Sequence, residues 1–197
     1  MSITIRKIPS LQLSLYTEHL LRLSPEDRHL RFGNAMSDVA IKRYVDTQYR
    51  IKQIVLGAFD DQNNVVAAIE IVFDTTKYMP VNESAEIGLS VEDGHRGKGL
   101  GTELFKRAVE IAQNRRVAKL VSHCLSRNRW MVRIARKNGM TVENESGESM
   151  GTVDLVPGNL ISAIGEAIGD GIALLDYARM PAGSLFNPAF VQIQTRS

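Results

Sequence analysis

Three glycines at alternate positions, Gly97, Gly99 and Gly101, stand in the run Arg96-Gly97-Lys98-Gly99-Leu100-Gly101-Thr102, between two cations and a helical pattern. Residues without a Cβ let the main chain come close to a ligand, and the helix that follows points unpaired N–H groups and its positive end at the same place. With Arg96 and Lys98 beside it, that is the chemistry of a pyrophosphate cradle. Ten positions upstream, Glu86 puts a carboxylate into a strand pattern, Glu86-Ile87-Gly88-Leu89-Ser90-Val91. A carboxylate inside a sheet is costly unless paired or working, which makes Glu86 a candidate for chemistry. Glu83 is a competing candidate.

Other phosphate loops fail on their own spacing. No G-x-x-x-x-G-K-[ST] string occurs, and the glycines read G-x-G-x-G rather than G-x-G-x-x-G, with no acid between Arg115 and Arg127. A plain turn with incidental glycines is the remaining alternative. No metal is expected: His29, His95 and His123 are far apart, His19 sits beside Glu18 on a helix, and no H-x-x-x-H or C-x-x-C spacing occurs. Cys124, the single cysteine, has no base spaced to activate it and reads as a small buried hydrophobe.

The elements that must position these residues can be read from periodicity. Residues 2–8 alternate as a first strand, 11–23 form a leucine-rich helix, and Ser24-Pro25-Glu26-Asp27 starts a second, with Ser as cap and Pro in the first turn. A third helix covers about Asp38–Gln48. Ile54–Phe59 and Val65–Phe73 flank a polar loop as a hairpin, and Glu86–Val91 extends the meander. Gly99–Ala112 is an amphipathic helix, Val117–Leu125 a strand, Asn128–Lys137 a helix, and Met140–Leu155 holds two short strands around Gly147. Ile161, Ile164, Ile168, Ile172 and Leu175 mark a last amphipathic helix. The expected fold is α+β: residues 1–156 form one domain, and 157–197 a helical extension packed on it or at a contact between two copies.

With 197 residues, 44% of them hydrophobic, the chain can bury a core without disulfides. A net charge of +2 argues against a bulk nucleic-acid or membrane coat. The single cysteine and the absence of a leader pattern or a long apolar run suggest a cytoplasmic protein. Residues 91–140 nevertheless carry 12 of the 24 basic side chains and only four acidic ones, which points to one anionic site. A solvated, arginine-rich helix face is the alternative.

The run Arg96-Gly97-Lys98-Gly99-Leu100-Gly101 resembles the R-x-x-G-x-G loop of the GNAT superfamily of acyl-CoA N-acyltransferases. The resemblance extends through Ala85–Val91 before the loop, the helix after it, the strand at 117–125, and Asn128 to Asn138-Gly139-Met140. Leu23–Phe32 and Ser149–Leu155 look like segments of the bacterial protein-lysine acetyltransferase (Pat-like) branch, so the likeness covers about residues 2–156.

The resemblance implies a mostly antiparallel central sheet flanked by helices, and acetyl-CoA as cosubstrate. Leu89, Ser90 and Val91 would lie along the pantetheine arm. Amides from Arg96 through Gly97, Lys98, Gly99, Leu100, Gly101 and Thr102 would hold the pyrophosphate, and Asn128 would meet the thioester end. Arg129 and Arg133 either reach the 3′-phosphate or are solvated. Glu86 would be the base. The family's frequent tyrosine acid is here Ala135; His123 and Ser126 lie nearby. The expected activity is transfer of an acetyl group to a primary amine, a protein lysine first. A small amine or amino acid is the near alternative, and a non-catalytic acyl-CoA sensor or a nucleic-acid module the distant ones.

Overall fold

The computed structural model describes residues 2–48, 53–73 and 84–156. Seven strands make one sheet in the order β1-β2-β3-β4-β5-β7-β6. They are β1 (Thr4–Lys7), β2 (Gln53–Phe59), β3 (Val65–Phe73), β4 (Ser84–Val91), β5 (Lys119–Leu125), β6 (Thr141–Glu145) and β7 (Glu148–Asp154). Five helices accompany them: α1 (Leu13–Arg22), α2 (Pro25–Phe32), α3 (Asp38–Gln48), α4 (Leu100–Asn114) and α5 (Arg129–Lys137). The expected α+β fold with a mostly antiparallel sheet is the fold observed. Glu83 and the helix expected beyond Pro157 lie outside the described residues.

Local chemistry accounts for the helix boundaries. Ser24 Oγ accepts the Asp27 N–H at 3.1 Å, with Pro25 at the first position, where its missing N–H costs nothing. Ser37 Oγ accepts the Ala40 N–H at 3.2 Å and opens α3 in the same way. The expected strand from Val117 begins two residues later. Val117 instead closes the turn after α4 through its N–H to Ala112 O, with Arg116 at φ 55.

The sheet is covered on both sides. α4 and α5 lie over one face, where Leu104, Phe105, Ala108 and Met131 pack against Ile69, Ile71, Ala85 and Ile87. On the other, Tyr16 and Leu20 of α1 and Ile41 and Val45 of α3 pack against Val55, Val65 and Ala68. This explains the nearly unbroken apolar run of β3, which is buried on both faces. Glu70 alone interrupts it.

One irregularity positions the site. All neighbouring strands are antiparallel except β4 and β5, which run parallel and pair only at Ser84↔Lys119, Ala85↔Leu120 and Glu86↔Val121. Past that point β4 stays with β3 as far as Ala67↔Val91, and β5 stays with β7 as far as Leu125↔Glu148. The two strands part, leaving a wedge in the middle of the sheet, and α2 packs against both.

Candidate active site

A cavity of about 370 Å³ opens at this wedge. One wall is the end of β4, Leu89, Ser90 and Val91. Its floor is the glycine turn with the start of α4, and α5 and α2 close the remaining sides. Arg96, Gly97, Gly99, Leu100, Gly101, Thr102 and Asn128 all line it. Lys98 does not: its Nζ donates to Gly94 O at 2.9 Å and holds the turn from outside.

The turn depends on its glycines. Gly97 and Gly99 have φ of 75° and 84°, a region that costs an L-residue about 1 kcal/mol or more. Gly99 is the N-cap of α4 and has no side chain to cap with. The first-turn amides of Leu100, Gly101 and Thr102 therefore keep their donors for a ligand. The positive end of a 15-residue helix adds to the attraction for an anion.

Arg96 lines the cavity but is already engaged. It forms an ion pair with Asp27 of α2, donates from Nη1 to Asp93 Oδ1 at 3.2 Å, and from Nε to Val91 O at 3.3 Å. Asn128 is a brace as well as a lining residue. Its Oδ1 accepts the Met131 N–H at 3.1 Å, capping α5, and its Nδ2 donates to Leu30 O at 3.3 Å on α2. Of the basic residues on α5, Arg133 and Lys137 line the cavity and Arg129 does not. Elsewhere much of the basic surplus is spent on local pairs, among them Arg107–Glu103 and Arg127–Glu26.

Glu86 stands at the last β4–β5 pair, where the strands part, but its side chain is exposed and is not part of the cavity lining. The idea that this carboxylate is buried in the sheet is therefore corrected: Glu86 shares a face with Gly88 and Ser90, but at the fork that face is open and the side chain is exposed. The acid that is buried in the sheet is Glu70, 1% exposed, one strand away and cross-strand from Gly88. Its Oε2 accepts from Arg31 Nη2 at 2.8 Å, from the Tyr16 hydroxyl at 3.3 Å, and from the Tyr44 hydroxyl. Burial pushes both phenols above their usual range, so both act as donors. Burial alone would lower the pKa of Arg31, yet Tyr16, Tyr44 and Glu70 outweigh it, and the guanidinium stays charged where it lines the cavity. Gly88 makes room for it, since a Cβ there would lie 2.0 Å from Arg31 Nη2.

A second polar cluster flanks Ser90. His19, on α1 and 0% exposed, has Nε2 2.8 Å from Ser90 Oγ, and Nδ1 3.0 Å from Glu92 Oε1 and 3.1 Å from Val65 O. Arg22 Nε in turn donates to Glu92 Oε1 at 3.0 Å. Burial lowers the His19 pKa despite the carboxylate beside it, so the ring is neutral. Burial works to raise the pKa of Glu92, but His19 and Arg22 together hold it below the usual carboxylate range.

Neither cluster is visible as a motif. Glu70 leaves a trace, a lone acid in Val-Val-Ala-Ala-Ile-Glu-Ile-Val-Phe, but its partners are 26 to 54 positions away. His123 is exposed and Ser126 Oγ is taken by Ser149 at 3.1 Å; neither lines the cavity. Burial raises the Cys124 pKa, keeping it a protonated thiol packed against the core. Among the described residues no group of His, Cys, Asp and Glu could hold a metal ion, and no helix is long and apolar enough to cross a membrane.

Comparison with known proteins agrees with this architecture. The sequence profile of the acetyltransferase (GNAT) family matches residues 18–140. A Bacillus subtilis (strain 168) protein named "Putative phosphinothricin acetyltransferase YwnH" is 32% identical over 81 residues, 41% of this chain and 49% of that one. The match thus spans about half the length of that relative. Among solved structures, the GNAT domain of S. lividans PAT superposes with a TM-score of 0.64 at 20% identity, covering 77% of this chain and 89% of that one. A GNAT superfamily phosphinothricin acetyltransferase from Sinorhizobium meliloti, solved with AcCoA, gives 0.58 at 14% identity, covering 81% and 91%.

Proposed function

The chain belongs to the acetyltransferase (GNAT) family, and we propose that it moves an acetyl group from acetyl-CoA to a primary amine by direct attack of the amine. The observation that carries this reading is the parting of β4 from β5 beside the glycine turn. Among the described residues the β5-facing edge of β4 beyond Glu86 has no strand partner, which suits its backbone groups to pair with an extended, amide-bearing chain such as pantetheine. The residues fit the cofactor's other end too: the donors of Leu100, Gly101 and Thr102 face the cavity with no cap of their own, suited to a pyrophosphate. Arg133 and Lys137 supply positive charge on α5 for further phosphate.

Acetyl-CoA supplies an acyl group already activated as a thioester. The protein's part is to orient it and to take a proton from the acceptor, because an alkylammonium has no lone pair to attack with. Glu86 at the fork is our candidate for that step, and its exposure lets it pass the proton on to water. No tyrosine is available at Ala135, which is buried in the core, and a thiolate leaves without a dedicated acid.

For the acceptor we favour a protein lysine. Support comes from the Pat-like character of Leu23–Phe32, which contains α2 and contributes one wall of the cavity. A small amine is the second reading, supported by the relatives named for phosphinothricin. Calorimetric titration with acetyl-CoA, and with dephospho-CoA as comparison, tests the first half: binding that weakens without the 3′-phosphate is expected, and absence of binding overturns the reading. Parallel assays with lysine peptides and with phosphinothricin then decide the acceptor.

A further inference from the structure

We propose that Trp130, the single tryptophan of the chain, is the surface on which the adenine of the acyl donor stacks, with Arg133 and Lys137 beside it holding the 3′-phosphate. The protein thereby selects a nucleotide-bearing thioester over the same pantetheine arm carried without its nucleotide. This rests on the cofactor reading above for the ligand, and on the face that α5 presents to the cavity for the rest.

Besides the buried Met131, the α5 residues that line the cavity are Trp130, Arg133, Ile134 and Lys137. They stand at i, i+3, i+4 and i+7, which is one face of a helix. Ile134 fixes where that face lies. A Cβ on Gly101 would come within 2.8 Å of Ile134 Cδ1, so the face is laid directly against the first turn of α4, whose amides are proposed above for the pyrophosphate. Trp130 is one turn, about 6 Å, along the axis from Ile134, comparable to the ribose that joins a pyrophosphate to its base. Asn128, two residues earlier, lies about 200° round the helix and is turned to Leu30 O on α2, so it belongs to a different side of α5.

The chemistry of this face selects the ligand. Trp130 is 55% exposed, whereas Met131 beside it is 6% exposed and packs into the core. The indole adds little to the core and offers a flat π surface to a partner. Arg133 and Lys137 are exposed as well, and among the described residues neither forms an ion pair, unlike Arg96 with Asp27 or Arg127 with Glu26. No acid occurs anywhere in α5. A π surface flanked by two cations fits an aromatic base that carries phosphate, and it repels the ammonium of an acceptor. A phosphopantetheine arm borne by a carrier protein has the thioester and one phosphate but neither adenine nor 3′-phosphate. It would leave the indole and both cations without a partner.

Because the chain has one tryptophan, its fluorescence reports on this residue alone. Titration of the whole chain with acetyl-CoA should quench the Trp130 emission, and acetyl-4′-phosphopantetheine should leave it unchanged. In the calorimeter Trp130→Ala should weaken acetyl-CoA by roughly tenfold and leave the truncated thioester as it was, while Trp130→Phe, which keeps a ring, should recover most of the loss. Replacing Arg133 and Lys137 together by Gln should weaken acetyl-CoA but not dephospho-CoA. Acetyl-CoA binding without quenching, or an equal loss for both thioesters in Trp130→Ala, overturns this proposal and leaves the cofactor reading standing. Absence of any acetyl-CoA binding to the wild type overturns the cofactor reading, and this proposal with it.

Discussion

Asp27, in the first turn of α2, forms an ion pair with Arg96, which opens the glycine turn 69 positions later. One charge pair thereby ties the helix on one side of the cavity to the loop that floors it. Asn128 makes the matching tie, from α5 back to Leu30 on α2. The cavity is held on both sides by contacts to the same short helix. Asp27→Asn should lower the unfolding free energy by about 1–3 kcal/mol, because a partly buried, charge-assisted hydrogen bond is lost. Urea denaturation of the two proteins measures it. An unchanged midpoint would mean that α2 is held by other contacts.

Glu70 and Gly88 should be intolerant for linked reasons. Glu70→Ala strands the buried guanidinium of Arg31 and should cost about 3–5 kcal/mol. Gly88→Ala pushes a methyl group onto that same guanidinium, which its pair with Glu70 prevents from swinging away, and should cost about 1–3 kcal/mol. If the double variant costs as much as the sum of the two, Arg31 is not the shared partner and the link is wrong.

Stability should fall as the pH drops below about 6.5, the ordinary value for histidine. The folded-state pKa of His19 is depressed, so in the window beneath the unfolded value the unfolded chain binds a proton that the folded one refuses. The stabilisation is complete above the unfolded pKa and is lost as the pH falls toward the folded one. Glu92, also depressed, continues the same trend below the usual carboxylate range. Urea midpoints measured from about pH 7 to about pH 5 should show the slope, and a folded His19→Gln variant should flatten it.

Glu86→Gln should leave acetyl-CoA affinity unchanged, because the side chain is not part of the cavity lining, while acetyl transfer drops by roughly 100-fold. Calorimetry and initial rates on the same preparation separate the two effects. Full activity in the variant would shift the search for the base to other groups around the fork.

Much of the frame was legible in the residues themselves. Ser24-Pro25 and Ser37 announced two helix starts because a capping hydroxyl acts within three positions. The alternate glycines announced the turn at 97–101 because a positive φ is a property of the residue. These local rules, with the periodicity of the strands, carried the fold class, the family likeness and most of the cavity lining. They could not say that Glu86 is exposed and Glu70 buried, since the two lie on the same face of the sheet and only the packing of helices over it decides which part of that face is covered. Nor could they pair Asp27 with Arg96, Arg31 with Glu70, or His19 with Ser90, 71 positions apart. Capping, turn geometry and alternation act over a few residues and are written in order along the chain. Which charge meets which across the wedge depends on where two strands part, and that is decided only when the whole sheet has closed around its core.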